Sequence, residues 1–326
     1  MDLFSHALLP YLLGTSLKQK KEDVTAFVLG GIAPDIDVLI MWINFVYPTN
    51  FLITHRGITH SLFFGSITAI CVLYLASNSG IRSYIRRFID FEPVINGRSV
   101  AFACAGVVLH LFLDYMTTRG VPLLYPLTTT RYSAELFFYT DLSLTILSLL
   151  IIIYLYKKPQ KQNTAVKFLF VFLIIFALIG TVRTVEKSGA EGFFHGSEMK
   201  AYPTTSPFDW YVMGGIGEEI RIYKYDGLER RSQYNETVKK IDVLKSGDGM
   251  DRALSTAEEL PQVKMFRWRA YAVAVNASFQ EETWSFEYYD PVQRVMFKDM
   301  PRIFKGVARG FGSMNVTVKG NKAVVP

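Results

Sequence analysis

Apolar side chains fall into six runs before residue 187, at 3–17, 24–47, 58–77, 99–118, 134–156 and 165–183, with polar and charged residues gathered mainly in the breaks between them. Most runs approach the ~20 residues that cross ~30 Å of hydrocarbon, so the pattern predicts about six membrane segments, the first of them short. The second run carries Gly30, Gly31 and Pro34, which should break it beside Asp35 and Asp37. Such a break is tolerated at membrane depth only where the backbone lines a cavity or is buried in protein. Beyond Glu186 the pattern changes. Tyr202-Pro203 and Ser206-Pro-Phe-Asp-Trp210 read as an ordered linker, and alternation or β-branched and aromatic enrichment predicts strands at 210–213, 219–225, 270–277, 284–289 and 315–318. A helix is expected at 251–260, continued after Pro261 at 263–269. Gly214-Gly215-Ile216-Gly217 has no helix after it and reads as a hairpin turn rather than a phosphate loop. The implied fold class is mainly α: a polytopic helical membrane domain at 1–186, followed by a small α+β domain at 187–326.

Charge adds an orientation. Lys18, Lys20 and Lys21 follow the first run, Arg82, Arg86, Arg87 and Arg98 lie between the third and fourth, and Lys157, Lys158 and Lys161 lie between the fifth and sixth, with Lys167 at the start of the sixth. The alternate loops hold only Arg56, Arg119 and Arg131. The positive-inside rule makes the basic set cytoplasmic and puts the N-terminus, the loop at His55 and everything after residue 187 outside. Composition agrees with a split chain: 50% hydrophobic residues and a mean hydropathy of +0.20 are too apolar for an ordinary soluble protein and too polar for a wholly membrane one. The net charge of +6 does not indicate nucleic acid, because the basic residues sit in short loops between apolar runs. Cys71 and Cys104 both lie inside apolar segments and form neither a disulfide framework nor a thiolate site. The first residues lack a basic leader and a small-residue cleavage pattern, so the first run is expected to be retained. Asn235-Glu-Thr, Asn276-Ala-Ser and Asn315-Val-Thr are glycosylation-type triplets that suit an external location, although so short a pattern also arises by chance.

Ionisable groups inside apolar runs carry the candidate chemistry. A charge at the bilayer centre costs on the order of 3 kcal/mol or more, so it persists only with a partner, an ion or a wet cavity. Four of the five histidines, His6, His55, His60 and His110, are in such surroundings, together with Asp35, Asp37 and Asp114. His110 and Asp114, spaced i, i+4, share one helix face, and His55 and His60 straddle the turn at Gly57. With this orientation the seven residues reach a common depth, toward the outer face. Seven nitrogen and oxygen donors without thiolate suit zinc, manganese or iron, as one or two ions. A divalent ion removes the cost of burying the carboxylates and makes hydroxide available near neutral pH, which points to hydrolysis. Arg56, or Arg119, is positioned in sequence to hold a phosphate oxygen, and Asp37 is the carboxylate most readily spared as a base or as a support for a ligand. Glu135 and Asp141 are expected to make structural hydrogen bonds, and His195, in a polar stretch, to be solvated.

At Ser5-His6, Gly30-Gly31-Ile-Ala-Pro-Asp-Ile-Asp37, His55-Arg-Gly-Ile-Thr-His-Ser61 and His110-Leu-Phe-Leu-Asp-Tyr-Met-Thr117 the chain resembles the YdjM-like family of inner-membrane metal-dependent hydrolases. The resemblance covers roughly the first 190 residues. That family is distantly similar to the zinc-dependent phospholipase C and P1-type nuclease group, which implies phosphodiester or phospholipid substrates. The expectation is a membrane-embedded metal-dependent hydrolase acting on a phosphoester of a lipid or lipid-linked molecule, with no nucleic-acid or protein partner. Two alternatives stay open: a transporter or ion carrier, since membrane carboxylates and histidines also build ion paths, and an inactive anchor that presents an external binding domain.

Overall fold

Helix starts and stops in the first half follow local chemistry. In the computed structural model, which describes residues 1–40, 54–158, 162–194, 199–299 and 312–325, Asp2 opens α1 (Leu3–Ser16) by accepting hydrogen bonds from the amide and hydroxyl of Ser5 at 2.9 and 2.8 Å. α2 (Lys21–Ile32) passes into a 3-10 turn at Ala33–Ile36 and then α3 (Asp37–Ile40), as expected of a helix meeting Pro34, which has no N–H to donate. A second 3-10 turn, Ile58–His60, leads to Ser61, which caps α4 (Leu62–Ala76) by accepting from the Phe64 amide. α5 (Ser79–Ile85) turns 82° away from α4. Then come α6 (Gly97–Tyr115), α7 (Leu142–Lys157) and α8 (Gln162–Phe193).

The count of membrane segments needs correction. Among the described residues only α6 and α8 are long and apolar enough to cross a bilayer, or three spans if bent α4 and α5 make one. The 14 residues of α1 and 16 of α7 reach only about 21 and 24 Å, short of the hydrocarbon thickness. α2 stops at the proline turn after 12 residues, and the end of the second apolar run lies outside the described residues. The six runs misled because an apolar stretch looks alike whether it faces lipid or protein. Leu8, Leu9 and Leu12 of α1 are buried against Leu113, Leu144 and Phe172, while Ala26 and Leu29 of α2 are buried with Leu73, Ala103 and Val107.

α2 and α6 cross with their backbones in contact. A Cβ on Gly30 would lie 1.9 Å from the Ala103 carbonyl oxygen, and one on Gly106 would lie 2.3 Å from that of Phe27. Only glycine lets the two backbones meet there.

A buried ion pair ties α7 to α8. Arg183 donates to Asp141 at 3.0 Å, with side chains 1% and 4% exposed, while the other Asp141 oxygen caps α7 through the amides of Ser143 and Leu144. Asp141 therefore has a structural role, as its sequence context suggested. Asp141→Ala is expected to lower stability by about 3–5 kcal/mol, because it leaves the guanidinium buried without its carboxylate. Asp141→Asn, which keeps a capping oxygen, should lose less; unfolding in detergent by denaturant titration distinguishes the two.

One compact unit ends at Thr184 and the second takes over from Val185. The second unit is strand-rich. Its first sheet is antiparallel, in the order β1 (Lys200–Pro203), β2 (Asp209–Ile216), β3 (Glu219–Asp226), β4 (Arg231–Lys239). Its second sheet runs β5 (Ile241–Lys245), β6 (Ala274–Gln280), β7 (Thr283–Tyr289), β8 (Ser313–Lys319), β9 (Lys322–Val324). α9 (Met250–Glu258) and α10 (Pro261–Arg269) make the crossover that lets β5 and β6 run parallel, and α11 (Pro291–Asp299) packs Val292, Val295 and Met296 on the first sheet. The glycine-rich stretch is the β2–β3 hairpin, with Gly217 at φ +57°. The expected strand at 270–277 begins only at Ala274, and β1 takes up part of the expected linker. β4 and β5 gave no strand signal, because an edge strand such as RSQYNETVK has no buried face to impose alternation. His195 lies outside the described residues.

Candidate metal centre

Four separate pieces of chain bring imidazole and carboxylate groups together in the first unit. α1 supplies His6, the proline turn after α2 supplies Asp35 and Asp37, the loop before α4 supplies His55, Arg56 and His60, and α6 supplies His110 and Asp114. His6 stacks on His110 with ring centroids 3.7 Å apart and planes 20° from parallel, and His60 stands edge-on to His110 at 5.0 Å. His6, Asp37, His60, His110 and Asp114 are all buried, whereas Asp35 and His55 are partly open. All seven donors inferred from the sequence are thus brought together.

They do not play equal parts. The Nε2 atoms of His6, His60 and His110 and Oδ2 of Asp114 are buried without a hydrogen-bond partner. His60 Nε2 lies 3.4 Å from Asp35 Oδ1 and 3.5 Å from Asp114 Oδ2, His110 Nε2 lies 3.7 Å and 3.6 Å from the same two oxygens, and His6 Nε2 lies 3.4 Å from Asp114 Oδ1. These separations are too long for hydrogen bonds. They match the edge of a coordination polyhedron, since donors about 2.0–2.1 Å from a tetrahedral zinc lie roughly 3.3 Å apart. Five donors thus fall into two overlapping groups that share His110: His6, His110 and Asp114, and Asp35, His60 and His110.

Contacts behind His110 and His60 fix the tautomers of those two rings. His110 donates from Nδ1 to the Gly31 carbonyl at 2.7 Å, which leaves the Nε2 lone pair facing the centre. The close α2–α6 crossing makes that bond possible. Nδ1 of His60 lies 3.2 Å from Asp37, whose oxygens also accept from His55 Nδ1 at 2.9 Å, the Arg56 amide at 3.1 Å and the Thr59 hydroxyl at 3.1 Å. Asp37 is thereby occupied as an acceptor on both oxygens. His55, His60 and Asp37 also stand close enough to make a three-donor group of their own, but it claims the His60 nitrogen that already faces the carboxylate. We read it as the support of His60 and His55.

Arg56 is nearly fully buried, with φ +59°. Its guanidinium donates to Thr117 Oγ1 and the Thr118 carbonyl at 2.8 Å each and to Asp114 Oδ1 at 2.8 Å, and lies 4.3 Å over the ring of Tyr139. The Met1 amino group contacts the same Asp114 oxygen. The geometry gives Arg56 the work of holding Asp114. Arg119 is tied into its loop, where its amide donates to Glu135 at 3.2 Å and its carbonyl accepts from Arg131. Thr59, Thr117, Thr118 and Tyr139 carry no signal as isolated letters in the sequence. The three threonines flank ligand-bearing motifs, which could have pointed to them, whereas nothing in the chain marks Tyr139.

Asp37→Asn should weaken metal binding about 10–100-fold without removing a donor, because it replaces an acceptor of the His60 N–H by an amide that can turn away. Titration of the apoprotein with zinc, compared with wild type, measures the loss.

A family model described as YdjM inner membrane protein matches residues 1–185, more than half of the 326-residue chain. The chain belongs to the YdjM inner membrane protein family. Every donor at the centre lies in the part that matches the YdjM family, and the nine strands among the described residues lie beyond it. No curated protein and no solved structure matches the chain.

Proposed function

We propose that this YdjM-family protein is a membrane-embedded metal-dependent hydrolase of phosphoester bonds in a lipid or lipid-linked substrate. The observation that carries the reading is the set of buried, hydrogen-bond-free donor atoms on His6, His60, His110 and Asp114, in two donor groups that share His110. Leaving such atoms without partners costs about 1–3 kcal/mol each, and a bound divalent ion removes that cost. His6, His60, His110, Asp35 and Asp114 would hold it; three imidazoles and two carboxylates suit zinc, with manganese or iron as substitutes. Such an ion supplies hydroxide at neutral pH and Lewis acidity toward a phosphoryl oxygen.

The remaining groups supply orientation and proton movement. Asp37 fixes the His55 tautomer through Nδ1, so the other nitrogen of this partly exposed ring can take a proton from water and return it to a leaving oxygen. Arg56 holds Asp114 in place. Orientation in the membrane comes from the helices themselves. Lys18 follows α1 and Arg98 begins α6, whereas His6 begins α1 and Asp114 ends α6, so the centre and the basic end are about 24 Å apart along α6. With the basic end cytoplasmic, the centre lies toward the outer face.

Elemental analysis of purified protein, joined to a panel of phosphomonoester, phosphodiester and phospholipid substrates, tests the proposal. Bound zinc and hydrolysis lost on chelation are expected. Protein that binds no divalent metal would end it.

A further inference from the structure

The segment from α5 to Ile89 lies far from the metal centre in sequence and has no part in its chemistry. Asn78, extended at ψ 133°, accepts a hydrogen bond from the Gly80 amide at 3.0 Å and so starts α5 in a new direction, 82° from α4. From there the order of residues is strongly two-sided. Ile81, Tyr84 and Ile85 on α5, and Phe88 and Ile89 in the turn after it, recur at helical spacing in the sequence, with Arg82, Arg86 and Arg87 between them. Ile85 packs on the helical core, yet Ile81, Tyr84 and Phe88 stay 44%, 60% and 58% exposed. The rings of Tyr84 and Phe88 meet edge-on at 5.6 Å, and Tyr74 and Leu75 at the end of α4 are exposed as well.

The chain beyond is pinned down. Phe91 is buried among Ala26, Leu29 and Leu73, Arg86 donates to its carbonyl, and the Glu92 amide donates to the Thr25 hydroxyl. These contacts gather the basic residues of two loops at one end of the unit. Some are neutralised there: Lys21 by Asp90 at 2.6 Å, Arg98 by Asp23 at 2.7 Å, Arg86 by Glu92 at 3.6 Å and Lys20 by Glu22 at 3.8 Å. Lys18, Arg82 and Arg87 have no carboxylate partner among the described residues.

We infer that residues 79–89 form an interfacial anchor that lies in the plane of the cytoplasmic leaflet and binds anionic phospholipid headgroups through Arg82 and Arg87. A short two-sided segment turned 82° from the apolar helix before it places its apolar side at the acyl boundary and its cations among the phosphates. The uncompensated charge selects an anionic surface over a zwitterionic one, and each cation near such a surface strengthens binding about fivefold. This inference rests on family membership and geometry, not on the metal reading, and the two can fail separately.

Full-length protein in detergent, titrated with phosphatidylglycerol and followed by native mass spectrometry, should bind the lipid about 25-fold more weakly when Arg82→Gln and Arg87→Gln are combined. Phosphatidylcholine should show no such difference. A spin label at Ile81→Cys or Phe88→Cys, in a Cys71→Ser, Cys104→Ser background reconstituted into vesicles of both lipids, should collide more with oxygen than with a water-soluble nickel chelate. Equal phosphatidylglycerol binding by wild type and the double variant would overturn the inference. So would labels open to the chelate, or labels broadened by a second copy of the chain.

Discussion

Replacing His110 by alanine is expected to strip the protein of its metal. His110 contributes one of the Nε2 atoms that face the centre without a hydrogen bond, and its Nδ1 donor bond to Gly31 commits that atom to the role of acceptor. Losing a residue behind a ligand typically costs 10–100-fold in affinity, and losing the ligand itself should cost more than about 100-fold. Binding energy is also folding energy in such a centre, because the ion satisfies the buried Nε2 atoms of His6, His60 and His110 that have no hydrogen-bond partner. The wild type treated with chelator and His110→Ala without it should therefore unfold at similar temperatures, both below the loaded wild type. Elemental analysis gives the occupancy and a thermal scan in detergent gives the stability. The same measurements on His55→Ala separate the roles. It should keep the metal, because His55 lies outside the five-donor set, and lose hydrolysis, because the proton-transfer group has gone. Wild-type metal content in His110→Ala would refute the donor assignment.

The centre was more legible in the sequence than the membrane architecture around it. Histidines and aspartates inside apolar runs stand out because burial of their charge needs an explanation, and spacings such as His110 to Asp114 place them on one face without any tertiary knowledge. The sequence does not tell which donors face the centre and which stand behind it. Asp35 and Asp37 are two residues apart on one turn, yet Asp35 lies near the His60 and His110 nitrogens while Asp37 is taken up by His55, Thr59 and the Arg56 amide. That division depends on where the loop before α4 folds back, a long-range event. Arg56 is a second case: its place beside a histidine does not tell that its guanidinium donates to Asp114, Thr117 and Thr118. The membrane segments were overcounted because apolar letters record burial, not the medium that does the burying. α1 and α2 are buried in a bundle as deeply as a span would be in lipid. In the second unit, β2, β3, β7 and β8 were readable from alternation, whereas edge strands such as β4 and β5 were not.

Gly106→Ala is expected to damage the metal centre without touching a donor. Its added Cβ would lie 2.3 Å from the Phe27 carbonyl oxygen and 2.6 Å from the Gly31 nitrogen, so it meets backbone, which cannot swing aside as a side chain would. α6 must then move away from α2. Overpacking of this kind typically costs about 1–3 kcal/mol, and rigid backbone on both sides places this case at the upper end. The displacement carries a second consequence, because His110 sits one helical turn beyond Gly106 and its ring is held by the Gly31 carbonyl on α2. Drawing α6 off by even a fraction of an ångström stretches that 2.7 Å bond and frees the imidazole to rotate, so zinc affinity should fall about 10–100-fold. Gly30→Ala, with its Cβ 1.9 Å from the Ala103 carbonyl oxygen, should behave alike. Gly97→Ala is the control: it lies on the same helix as Gly106, nothing stands within 4 Å of the added carbon, and neither stability nor affinity should drop. Zinc titration of the three variants, after confirming by circular dichroism that each is folded, decides the matter. Should Gly106→Ala bind zinc as tightly as Gly97→Ala, the helix crossing does not set the ligand geometry, and the orientation of His110 must come from the stacked ring of His6 instead.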